Sequence, residues 1–346
     1  MMINLCENGI FAGLNSYGGY VPLLRKCVSG MKTVYIIKGT SGCGKSTLLK
    51  RLYMRGMRLG KIAIPIRCSA DNDSFDGVIF PELGIALVDG TAPHVLEPEL
   101  PLINDTTVDI TADYDNVFAE KYAKTVKKLM DSKKQCYCNA YAMLRSAGEM
   151  ESIIEKYIGA VADESKLEKF ANEFVKTNAK AEGNICKIPC ACFNGSGFTF
   201  SGIAHGVDII TVTDTFGISE ALINTICSIC ERNGKKAGYI YSPVDESKAC
   251  GVFFESIALI SNRYFKVPCK KSIYGSRFIN KEKLIRLKQE LSSIDKLRAD
   301  LLQRASHYMK KALDIHFEIE KIYSLAADFE KADNAYIMLE KKIFRS

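Results

Sequence analysis

The sequence predicts an α/β protein made of two related halves, each a three-layer α/β/α core followed by a helical arm. Three observations carry this. An apolar run passes through a glycine-rich loop into a helix. The second half of the chain echoes the first at a constant spacing. Two long tracts have helical composition and no proline. At 346 residues the chain exceeds one ordinary core. The expected boundaries are residues 1–115 for the first core, 116–182 for its arm, 183–276 for the second core and 277–346 for the C-terminal arm.

Val34-Tyr35-Ile36-Ile37 is β-branched and aromatic, as a buried parallel strand requires. It leads into Gly39-Thr40-Ser41-Gly42-Cys43-Gly44-Lys45-Ser46, the pattern G-x-x-x-x-G-K-[ST] of a phosphate-binding loop. From Thr47 to Arg58, Leu48, Leu49, Leu52 and Tyr53 recur at helical spacing, so strand, loop and helix follow in the order the motif needs. Glycines let backbone N–H groups close around phosphate oxygens, and the helix adds its positive N-terminal end. Gly39 to Thr47 would line the nucleotide phosphates. Lys45 would reach the β- and γ-phosphates, and the Ser46 hydroxyl would ligate Mg²⁺.

About 40 residues on, Ile85-Ala86-Leu87-Val88 ends in Asp89, a carboxylate placed to hold the Mg²⁺ water shell. Between them lie Asp71, Asp73 and Asp76, expected near the carboxyl ends of the strands. Asp73 and Asp76, or Glu82, are candidates to orient water, with helix capping the competing explanation for the Asp pair. His94, in Thr91-Ala92-Pro93-His94, is a candidate γ-phosphate or substrate contact, with a structural hydrogen bond as its alternative.

At an offset of 174 residues, Leu48 faces Leu222, Gly60-Lys61 faces Gly234-Lys235, Asp71 faces Asp245 and Phe80 faces Phe254. After a one-residue deletion, Ile85 to Val88 faces Ile257 to Ile260. This reads as a tandem duplication. The second copy has lost the chemistry: at this offset Lys45 faces Ser219 and Ser46 faces Glu220, and Asp89 faces Ser261. Asp214 and Glu220 would repel a triphosphate. Residues lost with the loop, namely Lys45, Ser46, Asp73, Asp76, Asp89 and His94, are therefore favoured for chemistry over Asp71, which both halves keep.

The helical tracts run from about Asn116 to Ala181, with a break expected near Asp131-Ser132 or Gly148, and from Asn280 to Phe344. Packing on the cores, a lid and a protein-partner site are the roles open to them. His307 and His316, nine residues apart, suggest no metal pair and are given no chemistry.

Composition narrows the class. The chain is 47% apolar and 25% charged, which excludes a disordered or collagen-like chain. No apolar run approaches the roughly 20 residues of a membrane helix, and no secretory leader is evident. A cytoplasmic location with reduced thiols is expected for the 13 cysteines. Cys186, Cys190 and Cys192, and the pair Cys227 and Cys230, fit no standard zinc spacing. The net charge of +7 is concentrated between Arg263 and Lys311, with 14 Lys and Arg against 4 Asp and Glu. A solvated helix face explains it; an anionic partner such as nucleic acid is the alternative.

The loop identifies the chain as resembling the P-loop NTPase superfamily. More narrowly, it resembles a group of bacterial tandem P-loop ATPases, mostly from Firmicutes. That group combines the loop with segments like Asp73-Ser74-Phe75-Asp76-Gly77-Val78-Ile79-Phe80-Pro81-Glu82-Leu83 and Asp89-Gly90-Thr91-Ala92-Pro93-His94. The resemblance covers nearly the whole chain. It implies binding of ATP with Mg²⁺, and ATP hydrolysis, in the cytoplasm; the second loop departs from the group's pattern of two intact loops. The expectation is an ATPase with one competent site in the first half and a pseudo-ATPase second half. The alternatives are a P-loop small-molecule kinase and a non-hydrolysing, nucleotide-gated interaction module.

Overall fold

A computed structural model describes residues 6, 8–92, 95–101, 103–113, 115–203 and 206–344. In chain order the first half forms β1 (Ile10–Phe11), β2 (Gly13–Ser16), β3 (Gly19–Pro22), α1 (Leu24–Cys27), β4 (Thr33–Lys38), α2 (Lys45–Arg58), β5 (Ile64–Arg67), β6 (Phe75–Phe80), β7 (Ile85–Asp89), β8 (Asp105–Asp109), α3 (Asn116–Val161) and α4 (Glu164–Asn178). The second half forms β9 (Cys186–Ile188), β10 (Ala191–Asn194), β11 (Gly197–Phe200), β12 (Asp208–Thr213), α5 (Ile218–Arg232), β13 (Gly238–Tyr241), β14 (Ala249–Phe253), β15 (Ile257–Ser261), β16 (Lys271–Tyr274), α6 (Lys281–Tyr323) and α7 (Phe329–Phe344).

The protein is α/β with mixed sheets. One six-stranded sheet has the order β1-β5-β6-β7-β4-β8 and the other β9-β13-β14-β15-β12-β16. The pairing senses also agree: parallel at β1–β5 and β9–β13, antiparallel around β6 and β14, and parallel along β7-β4-β8 and β15-β12-β16. Even the register shift recurs, between Ile66 and Arg67 and between Ile240 and Tyr241. The reversal of β6 follows from its short connections, since hairpin-length links join antiparallel strands while the α2 crossover keeps β4 and β5 parallel. The start of β6 therefore lies at the same sheet edge as the carboxyl ends of β4, β5 and β7.

Two compact units divide the chain, and each draws on both halves. The loop-bearing unit comprises Cys6–Gly13, Pro22–Asn139 and the chain from His307 on. Its core is one face of the first sheet, packed on Leu48, Leu49 and Leu52 of α2, with Ala332, Ala335, Leu339 and Ile343 of α7. Arg51 pairs with Asp333, and Arg55 with Glu340 at 2.9 Å. The second unit includes Leu14–Val21 and Ala140–Ser306. Here α5 lies in a core with Ile154, Ile158 and Val161 of α3 and Leu167, Ala171, Phe174 and Val175 of α4. The arm after the first core thus covers the helix of the second sheet, and the C-terminal arm covers the helix of the first.

Neither expected break in the first arm occurs: α3 is continuous over 46 residues. A Cβ on Gly148 would stand 2.9 Å from the Tyr17 side chain, so this glycine admits a close neighbour and does not end the helix. The break falls at Ala162–Asp163, where the Asp163 carboxylate accepts from Lys166 N and caps α4. Among the described residues no cysteine forms a disulfide, no cluster of His, Cys, Asp and Glu could hold a metal ion, and no helix is long and apolar enough to cross a membrane. Cys227 and Cys230 are buried, and burial pushes both thiols up, Cys230 to about 11, as for small inert hydrophobes.

Candidate functional site

The loop of residues 39–44 leaves the carboxyl end of β4, between β7 and β8. Gly42 and Gly44 adopt φ of +74° and +94°, left-handed values that side chains resist, and Gly44 is the N-cap of α2. No side chain caps this helix, so its first turn presents backbone N–H groups to the loop. Cys43 is fully buried beneath the loop, and Thr47 is exposed on the first turn of α2.

Lys45 is 9% exposed, and its ammonium folds back onto its own loop. It donates to Gly39 O at 2.9 Å and Thr40 O at 2.7 Å, and stands 3.8 Å from Asp89 Oδ2. Asp89 ends β7, opposite Ile37 of β4, and accepts from Thr91 N at 2.9 Å and from the Thr91 hydroxyl. Burial raises its pKa, against the pull of Lys45 and Thr91; the neighbouring charge of Asp76 adds to the rise. Asp76, 7% exposed, lies one step beyond the Gly77–Val88 pair at the start of β6 and so beside Asp89. The Ser46 hydroxyl accepts from Phe75 N at 2.9 Å and from Ser74 Oγ at 3.0 Å.

Lys45, Ser46, Asp76 and Asp89 are therefore gathered at one sheet edge. Asp73 stands exposed in the turn before β6, where its N–H donates to Asp71 Oδ1 at 3.1 Å. Glu82 follows the far end of β6, because that strand runs antiparallel, and accepts from Ile62 N. His94 lies outside the described residues.

Three groups join the site that sequence reasoning passed over. The end of α6 lies on the loop: a Cβ on Gly42 would be 2.7 Å from Glu320 O. The Gly42 N–H hydrogen-bonds the Glu320 carboxylate, and Lys45 interacts with it electrostatically. His316 Nε2 stands 3.5 Å from Glu320 Oε1, and Lys133 Nζ is 3.2 Å from His316 Nδ1. Burial depresses the His316 pKa to about 4, helped by Lys133 and Lys45, so the ring is neutral at pH 7 and accepts from Lys133 at Nδ1. The one sequence signal was the i,i+4 spacing of His316 and Glu320 on a helix. Nothing local tied that helix to a loop nearly 280 residues earlier.

The second loop shows what an internal anion does in such a place. It has four residues, 214–217, against six in the first, and Gly217 caps α5 at φ +93°. Aligned on the two caps, Lys45 corresponds to Ile218, Ser46 to Ser219 and Thr47 to Glu220. This is one position from the pairing read at constant offset, because the shorter loop shifts the register. The Asp214 carboxylate accepts from Gly217 N at 2.8 Å, Ser219 N at 3.0 Å and Ser219 Oγ at 2.5 Å. The Arg263 guanidinium sits where a Cβ on Gly217 would be and pairs with Glu151, Glu220 and Asp214. A carboxylate and a guanidinium of the chain itself thus fill the second loop. No family model, curated protein or solved structure matches this chain.

Proposed function

We propose that the chain binds ATP with Mg²⁺ at the loop of residues 39–46 and hydrolyses it there, its second core being a duplicated copy of the same three-layer core without a nucleotide site. The observation that carries this reading is the pairing of an uncapped helix N-terminus, bent open by two left-handed glycines, with Lys45 and Asp89 beside it. Such a nest attracts phosphate. Lys45 would exchange the carbonyls of Gly39 and Thr40 for phosphate oxygens, which are stronger acceptors for an ammonium.

The donors also suit a divalent cation. Two buried carboxylates, Asp76 and Asp89, face one lysine, and the Ser46 hydroxyl lies at the start of α2. Ser46 and Asp89 would hold Mg²⁺, whose charge would neutralise the phosphates and offset the repulsion between the two aspartates. Asp76 is the nearer choice to orient an attacking water, Asp73 being exposed.

One observation favours the gated reading as well. Residues 320–332 lie over the loop, with Glu320 on Gly42, and Phe329 and Ala332 3.9 and 3.8 Å from a Cβ on Gly44. Phosphate binding would displace the Glu320 carboxylate and move the α6–α7 connection, which offers a nucleotide-dependent output.

The test is ATP binding and phosphate release by wild type and Lys45→Ala, with GTP and nucleic acid as added arms. The variant should bind ATP about a hundredfold more weakly and release no phosphate. Equal affinity would overturn the assignment. ATP binding without phosphate release, with altered hydrogen exchange in 320–332, would leave the gated module as the activity.

A further inference from the structure

The second unit contains a cavity of about 630 Å³, within the range of small-molecule sites. It lies against the N-terminal turns of α5, between α3, α4 and the residues that fill the second loop. Ile158, Leu167, Phe216 and Ala221 supply apolar wall. The charges around it are Glu151, Glu155, Glu164, Glu168 and Glu220 against Lys248 and Arg263. Both cations are already committed, Lys248 to Glu155 and Asp245, Arg263 to Glu151, Glu220 and Asp214. The lining is therefore net acidic, the reverse of a phosphate site.

Glu220 marks the inner end. It is 4% exposed; one carboxylate oxygen accepts from Arg263 at 3.2 Å and Tyr264 Oη at 2.9 Å, and Oε1 has no hydrogen-bond partner. An unsatisfied buried carboxylate oxygen is costly unless a donor reaches it. Glu164 and Glu168 are exposed at the rim. Gly159, in the last turn of α3, also lines the space, and a Cβ there would meet nothing within 4 Å. No cluster of ligating side chains among the described residues could hold a metal ion, which directs the acidic lining toward an organic cation.

We propose that this cavity binds an aliphatic polyamine, one ammonium on Glu220, another on Glu164 and Glu168, and the methylene stem along Ile158 and Leu167. Two anionic ends separated by an apolar wall match two cationic heads on a hydrocarbon chain. The site is independent of nucleotide binding, since Lys45 belongs to the other unit.

Binding should also depend on pH. Burial raises the Glu220 carboxyl to about 7, with Glu151 and Asp214 adding repulsion and Arg263 and Tyr264 opposing it. An ammonium needs the ionised form, so affinity rises between pH 6 and pH 8.

The experiment is calorimetric titration of the full chain with spermidine, without ATP, at pH 6 and pH 8. Saturable one-to-one binding is expected at pH 8 and at least threefold weaker binding at pH 6. Glu220→Gln keeps the acceptors for Arg263 and Tyr264, and Gly159→Leu fills the space; each should weaken binding at least tenfold. Glu168→Lys, at an exposed position that leaves the fold alone, should weaken it several-fold. Lys45→Ala should bind as wild type does. Absence of saturable binding, equal binding by wild type and Glu168→Lys, or loss of binding in Lys45→Ala would each overturn the proposal. Equal occupancy by Mg²⁺ at matched ionic strength would overturn the polyamine in favour of a simple cation.

Discussion

Lys45 shows how one side chain serves two partners. Without phosphate it caps carbonyls of its own loop and faces Asp89, so a buried ammonium is never left alone. Glu320 plays the opposite part, placing an anion where phosphate would sit. Removing that charge should help ATP: Glu320→Gln is expected to bind ATP about tenfold more tightly, because the nucleotide no longer competes with a charged acceptor. Nucleotide titration of the variant checks this, and weaker binding would make Glu320 a part of the site and not its competitor. His316 carries a pH dependence. Its pKa is about 4 in the fold against 6.5 for the free side chain, so the unfolded chain binds the extra proton first. The stability tied to the neutral ring is complete above about pH 6.5 and is lost as pH falls toward 4. Urea unfolding across that window should show a decline that is smaller in His316→Gln.

At the scale of elements, the two long helices decide which surfaces meet. α3 and α6 run 46 and 43 residues without a break, because the residues near their expected breaks either face solvent or pack closely. Each ends in an Asp-capped turn, Asp163 before α4 and Asp328 before α7. The short helices that follow lie on α5 and α2. Leu339, fully buried in α7 against the first core, tests this packing. Leu339→Ala should destabilise the loop-bearing unit by about 3 kcal/mol, read from denaturant unfolding. An effect under about 0.5 kcal/mol would mean that α7 is not part of that core in solution. Since α7 also borders the loop, the same variant should loosen 320–332 in hydrogen exchange.

For the whole molecule, the relation between the two sheets matters most. They share strand order, pairing sense and a register shift, and they differ where phosphate would bind. One ATP per chain is therefore expected by calorimetry, and none for Lys45→Ala; a stoichiometry of two would give the second loop a role that Asp214 and Arg263 appear on the page to deny it. The basic tract from 263 to 311 also changes meaning in three dimensions. Arg263 and Arg298 are buried against Glu151, Arg304 pairs with Asp300 and Lys270 with Asp208, so part of the excess charge is balanced internally.

The sequence by itself determined the local chemistry: a strand, a glycine-rich turn and a helix start within 25 residues, and Asp89 at the end of an apolar strand. Those features depend on backbone sterics and short-range hydrogen bonding, which a linear reading captures. It also revealed the echo between halves, though not the two-residue difference in loop length that moves Lys45 opposite Ile218. Only the tertiary structure decided that β6 runs backwards and brings Asp76 beside Asp89 while leaving Glu82 at the far end. It alone placed Lys133, His316 and Glu320 over the loop and opened the acidic cavity beside Glu220. These depend on which apolar faces pack together, and residues hundreds of positions apart acquire a shared electrostatic environment only after that packing is settled.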